Sequence, residues 1–154
     1  MALLVKGRQV ESVVRTLLRQ KGYKLKNKKL RHWEHGADIL AEKNGSQVAI
    51  ECIGYQENNS TRSRQFYEVF FRVLSRIGKG FSECVIALPE EFRKGMDRRA
   101  RQYGEAWQRI GKTFPELKIW FVDVAKKNYA PKPWGFWPQD RDTGKAKSSK
   151  NNTR

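Results

Sequence analysis

Two strand-like apolar runs, 37–43 and 46–53, are separated only by Asn44 and Gly45. Asn-Gly between such runs is the strongest short-range signal for a β-hairpin, because both central residues of a type I′ turn need a positive φ. A two-residue turn leaves a single register for the two strands. This dipeptide therefore constrains the fold more than any other feature of the sequence.

The same turn places Asp38 directly opposite Glu51. Opposed side chains in an antiparallel pair have Cβ atoms about 5 Å apart. The neighbouring strand residues are apolar, so the two carboxylates need a positive charge between them or a proton on one of them. Mg²⁺ binds one or two carboxylates together with water and substrate phosphates. Near a phosphodiester it activates water and stabilises charge at phosphorus.

Two alternatives to a metal site stay open for this pair. One carboxylate can lie in solvent at a strand end, or it can pair with a lysine. A longer or bulged turn would also move Glu51 to the opposite face of the sheet, because a slip of one residue inverts the side-chain pattern.

The remaining apolar patterns alternate between helical and strand periodicity. They predict an amphipathic helix that contains Val10 to Leu18 and stops at Gly22, a second helix over 61–77 and a charged third helix over 90–110. Continuous apolar strands at 84–88 and 117–122 suit burial on both faces. Strands joined by helices imply parallel crossovers, hence an α/β fold of three α/β/α layers around a mixed sheet.

The composition changes at residue 125. We expect a first domain over 1–124 and a basic C-terminal extension over 125–154. The extension contains Trp134-Gly135-Phe136-Trp137, which we expect to pack back onto the domain. Base stacking or contact with another subunit are the alternatives for this segment. The last part, from Thr143, is expected to be disordered.

The charge balance indicates a polyanionic partner. The chain of 154 residues has 32 lysine and arginine residues against 16 aspartate and glutamate, a formal charge of +16. Such an excess repels itself unless a polyanion neutralises it, and nucleic acid is the commonest one. An anionic membrane and a generic basic protein, such as a ribosome-associated factor, are the alternatives. The candidate nucleic-acid contacts are Lys24, Lys26, Lys28, Lys29, Arg31, Arg62 and Arg64. A second basic cluster lies on the third predicted helix and consists of Arg93, Lys94, Arg98, Arg99 and Arg101.

Other features favour a cytoplasmic, nucleoid-associated protein. No apolar run reaches the roughly 18 residues of a membrane-spanning helix. The N-terminus does not have the pattern of a secretory signal. Cys52 and Cys84 lie in apolar runs, which fits reduced thiols better than a disulfide or a zinc site.

The order of acidic residues resembles a known superfamily. Glu11 in the first helix, Asp38 at the start of a strand and Glu51-Cys52-Ile53 at the end of the next strand resemble the PD-(D/E)XK nucleases. Within them the chain is similar to the Mrr-like restriction endonucleases and the archaeal-type Holliday-junction resolvases, over residues 5–124. The resemblance implies a restriction-endonuclease-like fold and Mg²⁺- or Mn²⁺-dependent DNA endonuclease activity. It also implies a homodimer or a larger nucleoprotein complex.

The resemblance also assigns roles to individual residues. Asp38 and Glu51 would hold the metal, with the carbonyl of Cys52 as a further ligand. Glu11 would bind a second metal or orient water, and Gln65 on the later helix matches a further catalytic position. For Glu11 the alternative is a favourable interaction with the dipole in the first turn of its helix.

One position departs from the family pattern. The family's lysine falls two residues after the glutamate, and here that residue is Ile53. An ammonium would stabilise charge on the attacking water or at phosphorus, which isoleucine cannot do. Either a group from Gln56, Arg62, Arg64 or Gln65 replaces it, or the chain is an inactive DNA-binding subunit of a defence, recombination or mobile-element complex. An RNA-binding structural protein is a third possibility.

Overall fold

A computed structural model describes residues 3–26 and 38–137. In this part of the chain, short 3₁₀ turns at Glu90–Phe92 and Trp134–Phe136 accompany the regular elements. The regular elements, in chain order, are β1 (Leu3–Val5), α1 (Gly7–Gln20), β2 (Lys24–Lys26), β3 (Ile39–Lys43), β4 (Ser46–Cys52), β5 (Tyr55–Gln56), α2 (Asn59–Leu74), β6 (Glu83–Pro89), α3 (Arg93–Tyr103), α4 (Glu105–Thr113), β7 (Leu117–Asp123) and β8 (Asn128–Pro133).

Six strands form one mixed sheet in the order β2-β3-β4-β6-β7-β8, and β1 pairs separately with β5. The central strands β4, β6 and β7 run parallel, and the outer pairs are antiparallel. Helix α1 covers one face of the sheet, and α2, α3 and α4 cover the other. The predicted three-layer α/β/α architecture with a mixed sheet is confirmed.

The hairpin forms with the predicted register. Lys43 pairs with Ser46, and the ladder continues to Ile39 opposite Ile50. Asn44 has a φ of 51° and Gly45 a φ of 79°, so both turn residues have the left-handed conformation that the dipeptide favours. As a consequence, successive side chains along β4 point to opposite faces of the sheet. Ile50 faces the core under α1, and Ile53, just after the end of β4, faces the core under α2.

The prediction of one continuous helix over 90–110 is wrong. It begins with the 3₁₀ turn and then divides into α3 and α4 at Gly104, whose φ of 54° and ψ of −122° suit glycine. The second helix begins at residue 59, earlier than predicted. Asn58 caps it by accepting a hydrogen bond from the backbone N–H of Thr61 at 2.9 Å.

The sheet continues beyond residue 124, so the expected domain boundary falls inside it. Strand β8 pairs with β7 from Asp123 opposite Asn128 to Lys118 opposite Pro133. Trp134 and Trp137 are each only 2% exposed. The segment expected to fold back therefore packs into the core. The stretch from Thr143 that was expected to be disordered lies outside the described residues.

No helix within residues 3–26 and 38–137 combines the length and the apolar character needed to cross a bilayer.

Candidate active site

Asp38 and Glu51 meet at the open end of the hairpin. Asp38 immediately precedes β3, and the pairing of Ile39 with Ile50 places these carboxylates at the next position of the register. The Oδ2 atom of Asp38 accepts a hydrogen bond of 2.8 Å from the backbone N–H of Cys52. Glu51 is 1% exposed, and Asp38 is half-buried. The hairpin thus brings both predicted metal-binding carboxylates together.

The charge of Glu51 is only partly compensated. Burial raises the pKa of Glu51, and the negative charge of Asp38 raises it further, whereas Arg72 and Arg76 lower it. Its Oε1 atom accepts a hydrogen bond of 3.3 Å from Nη2 of Arg76. Its Oε2 atom is buried and has no hydrogen-bond partner among the described residues. A buried carboxylate oxygen without a partner is costly, so this atom is suited to a cation.

A cavity of about 270 Å³ lies between α1, α2 and the end of β4, where Cys52, the residue after Glu51, lines it; neither Asp38 nor Glu51 is among its lining residues. Helix α2 contributes Gln65, Glu68 and Arg72 to its wall. These three residues share one face of α2, because they are three to four positions apart. Arg76 comes four residues after Arg72 but lies beyond the end of the helix. The other lining residues are Gly7, Cys52, Ile53, Gly54 and Gln56.

Glu11 lies on the opposite side of the hairpin end and is held by Arg15. Nη2 of Arg15 donates to Oε1 of Glu11 at 2.8 Å and to the backbone oxygen of Asp38 at 2.7 Å. Burial raises the pKa of the Cys52 thiol, and the charges of Asp38, Glu11 and Glu51 raise it further. All three predicted carboxylates are therefore close to Cys52.

The position of Glu11 in its helix excludes one alternative. Because α1 begins at Gly7, Glu11 lies in the second turn, and the first turn of α1 has no acidic residue. The favourable dipole interaction expected for a first-turn acid is therefore not available to it.

A close backbone approach fixes the entry of α1 against the end of β4. A Cβ atom on Gly54 would lie 2.3 Å from the carbonyl oxygen of Val5 and 2.8 Å from the backbone nitrogen of Gly7. Real Cβ atoms do not approach backbone so closely, so only glycine fits here. This contact brings the start of α1 to the wall of the cavity.

The residue at the family's lysine position belongs to the core. Ile53 is 6% exposed and packs in the hydrophobic cluster with Phe66 and Phe92, although it also touches the cavity. Its side chain supplies no charge. The positive charges nearest to Glu51 in the described chain come instead from Arg72 and Arg76 of α2 and the turn after it.

Sequence reasoning found Gln65 but missed the two arginines. Gln56 and Gln65 both line the cavity, as was expected of replacements for the lysine. The signal for Arg72 was present, because Arg72 follows Gln65 by seven residues, which is two helical turns. Arg76 lies beyond the helix, where periodicity gives no guide.

The predicted nucleic-acid contacts are divided between several surfaces. Lys24 and Lys26 lie on the edge strand β2, where Lys26 pairs with Glu42 at 3.1 Å. Arg62 donates to the backbone oxygens of Gln56 at 2.7 Å and Glu57 at 3.1 Å. Arg64 is exposed and lies 4.0 Å from Glu68. Lys28, Lys29 and Arg31 lie outside the described residues.

The site suits a hard divalent cation. The described residues contain no group of three or more His, Cys, Asp or Glu side chains able to hold a metal. Mg²⁺ needs only one or two protein carboxylates, since water and substrate phosphates complete its coordination. The unpartnered Oε2 of Glu51, with Asp38 beside it, meets that requirement.

A mixed sheet between helical layers, with an aspartate before one hairpin strand and a buried glutamate at the end of the next, defines a nuclease of the PD-(D/E)XK type. A family model described as Mrr_cat, restriction endonuclease, matches residues 3–110. The chain belongs to this restriction endonuclease family. Nucleases of this type generally use divalent metals. The comparisons with curated proteins and with solved structures gave no match.

Proposed function

We propose that the chain is a divalent-metal-dependent endonuclease that hydrolyses phosphodiester bonds in DNA. The observation that supports this most directly is the buried Oε2 atom of Glu51, which has no hydrogen-bond partner in the described chain and lies next to a second carboxylate. A buried carboxylate next to a half-buried one, with incomplete compensation of their charges, favours binding of a cation. The family of the chain makes DNA its expected substrate.

In this proposal each residue of the site has one role. Asp38, Glu51 and the carbonyl of Cys52 hold Mg²⁺ or Mn²⁺, which supplies Lewis-acid stabilisation and activates water. Arg72, exposed at the cavity wall, stabilises the charge that develops on the phosphate, as the missing lysine would. Gln65 orients the phosphate or the water. Glu11 acts indirectly, since Arg15 connects it to the backbone of Asp38.

The excess positive charge supports a nucleic-acid partner, with 32 basic against 16 acidic residues. We propose that the chain acts as a homodimer, because cleavage of both strands of a duplex needs one site for each strand. Lys24 and Lys26 on the edge strand, together with the basic segment that follows them, are proposed as sequence-independent contacts to the DNA backbone.

The test is cleavage of supercoiled plasmid, branched DNA and single-stranded DNA with Mg²⁺, with Mn²⁺ and with chelator. Asp38→Asn should reduce metal-dependent cleavage by at least about a thousandfold, because a metal ion supplies several kcal/mol of stabilisation. Glu105→Gln is the matched control, since Glu105 is 76% exposed on α4 and pairs only locally with Arg109. Equal cleavage by Asp38→Asn and the wild type would refute the proposal.

A DNA-binding subunit without nuclease activity is the second candidate. The observation that favours it is the ion pair between Arg76 and Glu51, which places a cation of the protein at the carboxylate, together with the burial of Ile53. Binding of DNA without cleavage of any substrate under any metal condition would select this function. Metal-dependent cleavage that Asp38→Asn abolishes would exclude it.

A further inference from the structure

A second concave site lies beside the first, between β5, the first half of α2, and α3. It is a pocket of about 420 Å³. Five basic side chains line it against two acidic ones, Glu91 and Asp97. The basic residues are Arg62, Lys94, Arg98, Arg99 and Arg101.

Arg99 is the unusual member of this pocket, because it is only 6% exposed. Its guanidinium carbon lies 5.2 Å from the ring centroid of Phe66 and 5.7 Å from that of Phe92. Its Nη2 atom donates to the hydroxyl oxygen of Ser63 at 3.4 Å, and Tyr67 is a further hydrogen-bond partner. All these partners are neutral.

The buried charge of Arg99 therefore has no counter-ion. Seven salt bridges form within the described residues, and Arg99 takes part in none of them. A buried cation without an anionic partner is destabilising. Burial accordingly lowers the pKa of Arg99, and the charges of Arg62 and Arg98 lower it further. A bound anion would remove this cost.

The backbone of α3 makes room for the guanidinium. A Cβ atom on Gly95 would lie 2.6 Å from Nη1 of Arg99. Glycine is a poorer helix former than alanine, and Gly95 is the third residue of α3, one turn before Arg99. The helix thus accepts a poor helix former at the position where the guanidinium needs space.

The pocket also borders the candidate active site. Tyr55 lines it and follows Gly54, which lines the first cavity; Gln56, next in the chain, lines that cavity too. The guanidinium carbon of Arg62 lies 4.5 Å from the ring centroid of Tyr55, and both residues line the basic pocket. Strand β5 therefore separates the two sites by a single short segment of chain.

We propose that this pocket binds a phosphate group, with Arg99 as its buried anchor, and that the phosphate is a backbone phosphodiester of the DNA that reaches the Asp38–Glu51 site. Guanidinium groups bind phosphate oxygens through paired N–H donors, which suits a rigid buried arginine. The assignment of the phosphate to DNA rests on the proposed function; the affinity for phosphate rests on the pocket alone. Free nucleotides or terminal phosphates are the other source of the same chemistry.

The experiment measures binding of a fluorescent duplex with 5′-hydroxyl ends, without divalent metal, as a function of salt concentration. Arg99→Met should weaken binding about tenfold, or about 1.4 kcal/mol, because it removes a charge-assisted hydrogen bond to the phosphate. The slope of log K against log salt should fall by about 0.9, which corresponds to one phosphate. Arg109→Met is the matched control, because Arg109 is 75% exposed and pairs with Glu105.

The melting temperature separates a binding role from a structural one. Because Arg99 is buried without a counter-ion, Arg99→Met should melt at the same or a higher temperature, as apolar replacements of buried charges often do. If Arg99→Met does not fold, two variants replace it. Gly95→Ala retains every charge but displaces the guanidinium, and Arg98→Gln removes an exposed charge at the rim. Both should weaken binding.

Further arms of the experiment distinguish the two sources of phosphate. Inorganic phosphate and ATP are added as competitors, and a duplex with 5′-phosphate ends is compared with the 5′-hydroxyl duplex. Weak competition and equal affinity for both duplexes support an internal phosphodiester. Saturable binding of ATP that Arg99→Met abolishes, with duplex affinity unchanged, would assign the pocket to a free nucleotide and overturn the DNA assignment.

Failure of this proposal is distinguishable from failure of the proposed function, because no arm requires cleavage. If folded Arg99→Met, Gly95→Ala and Arg98→Gln all bind the duplex with the affinity and salt slope of the wild type, the pocket proposal is wrong, whatever the result of the cleavage assays. If they bind more weakly while the wild type cleaves nothing, the pocket proposal is supported and the nuclease proposal fails.

Discussion

The carboxylate site and the basic pocket are electrostatic opposites separated by strand β5. In the first, Asp38 and Glu51 place two negative charges together, and one buried oxygen has no partner in the described chain. In the second, Arg99 is a buried positive charge with no counter-ion among the described residues. The first site therefore favours a cation and the second an anion, and a metal-bound segment of DNA provides both.

The difference also shows how α2 serves the two sites. Arg72 and Arg76, at its C-terminal end, partly compensate Glu51. At its N-terminal end, Ser63 and Phe66 contact Arg99 but bring no charge. The helix thus moderates the negative site and leaves the positive one uncompensated. The comparison predicts that substitutions on the same helix have separable effects on catalysis and on binding.

After the loss expected for Asp38→Asn, the largest effect on cleavage is expected from Arg72. Arg72→Ala should lower the rate of cleavage by about a hundredfold or more, which is the typical cost of removing one donor that stabilises developing charge. Binding of the duplex should change little, because the basic pocket is intact. Single-turnover cleavage at saturating DNA measures the rate. Arg64→Ala, an exposed arginine of the same helix, is the control; equal losses in both variants would contradict the assignment.

A somewhat smaller effect should appear in thermal unfolding. Mg²⁺ or Mn²⁺ should raise the melting temperature of the wild type, since a ligand at a hundred times its Kd stabilises the folded state by about 2.7 kcal/mol. Asp38→Asn should show no such shift. In Arg99→Met the metal shift should persist, because that variant changes only the positive site. An equal shift in the wild type and in Asp38→Asn would place the metal elsewhere.

A rescue experiment tests whether a positive charge at residue 53 can replace the positive charge of Arg72. Ile53→Lys in the Arg72→Ala background should restore cleavage by about tenfold, or roughly 1.4 kcal/mol, because residue 53 touches the same cavity. Recovery should be incomplete, since Ile53 is 6% exposed and an ammonium there loses solvation. Ile53→Met in the same background is the control. No difference between the lysine and methionine variants would contradict a simple replacement of charge.

The smallest effect concerns pH. The pKa of Glu51 is raised above its ordinary value of 4.5, first by burial and then by Asp38. The folded state therefore favours the protonated carboxyl. The protonated carboxyl of Glu51 therefore adds to the free energy of unfolding below pH 4.5, and this contribution is lost as the pH rises through the raised pKa. In metal-free protein this loss should be smaller in Asp38→Asn, as measured by chemical unfolding at several pH values. A larger loss would contradict the repulsion between the two carboxylates.

The hairpin and its carboxylate pair could be predicted because local chemistry determines them. Asn44-Gly45 defines the turn, the turn defines the register, and the register places Asp38 beside Glu51. The parallel order of β4, β6 and β7 followed from apolar runs joined by helices. Each of these inferences depends on a local pattern, which is the turn dipeptide in the hairpin and the continuous apolar run in each strand.

The features that sequence reasoning missed have no clear local pattern in the sequence. Strand β8 has two prolines and little hydrophobic pattern, and it forms only because β7 offers an edge. The contribution of Arg76 depends on where the turn after α2 passes Glu51. The burial of Arg99 depends on how α3 packs on Phe66 and Phe92. From the sequence alone, Arg76 and Arg99 could be recognised only as basic residues, and β8 only as a segment without a clear periodicity.

The reciprocal contact between Trp107 and Trp134 has a consequence for the order of synthesis. Each indole N–H donates to the other residue's carbonyl oxygen at 3.0 Å, and the rings stack with centroids 3.9 Å apart. Phe66 and Phe70 of α2 pack on the same ring of Trp134. During translation, the helix that carries Arg72 is complete long before Trp134 is made. A nascent chain thus lacks the aromatic cover of α2 until the ribosome has passed codon 134, so the packing of this helix is completed late.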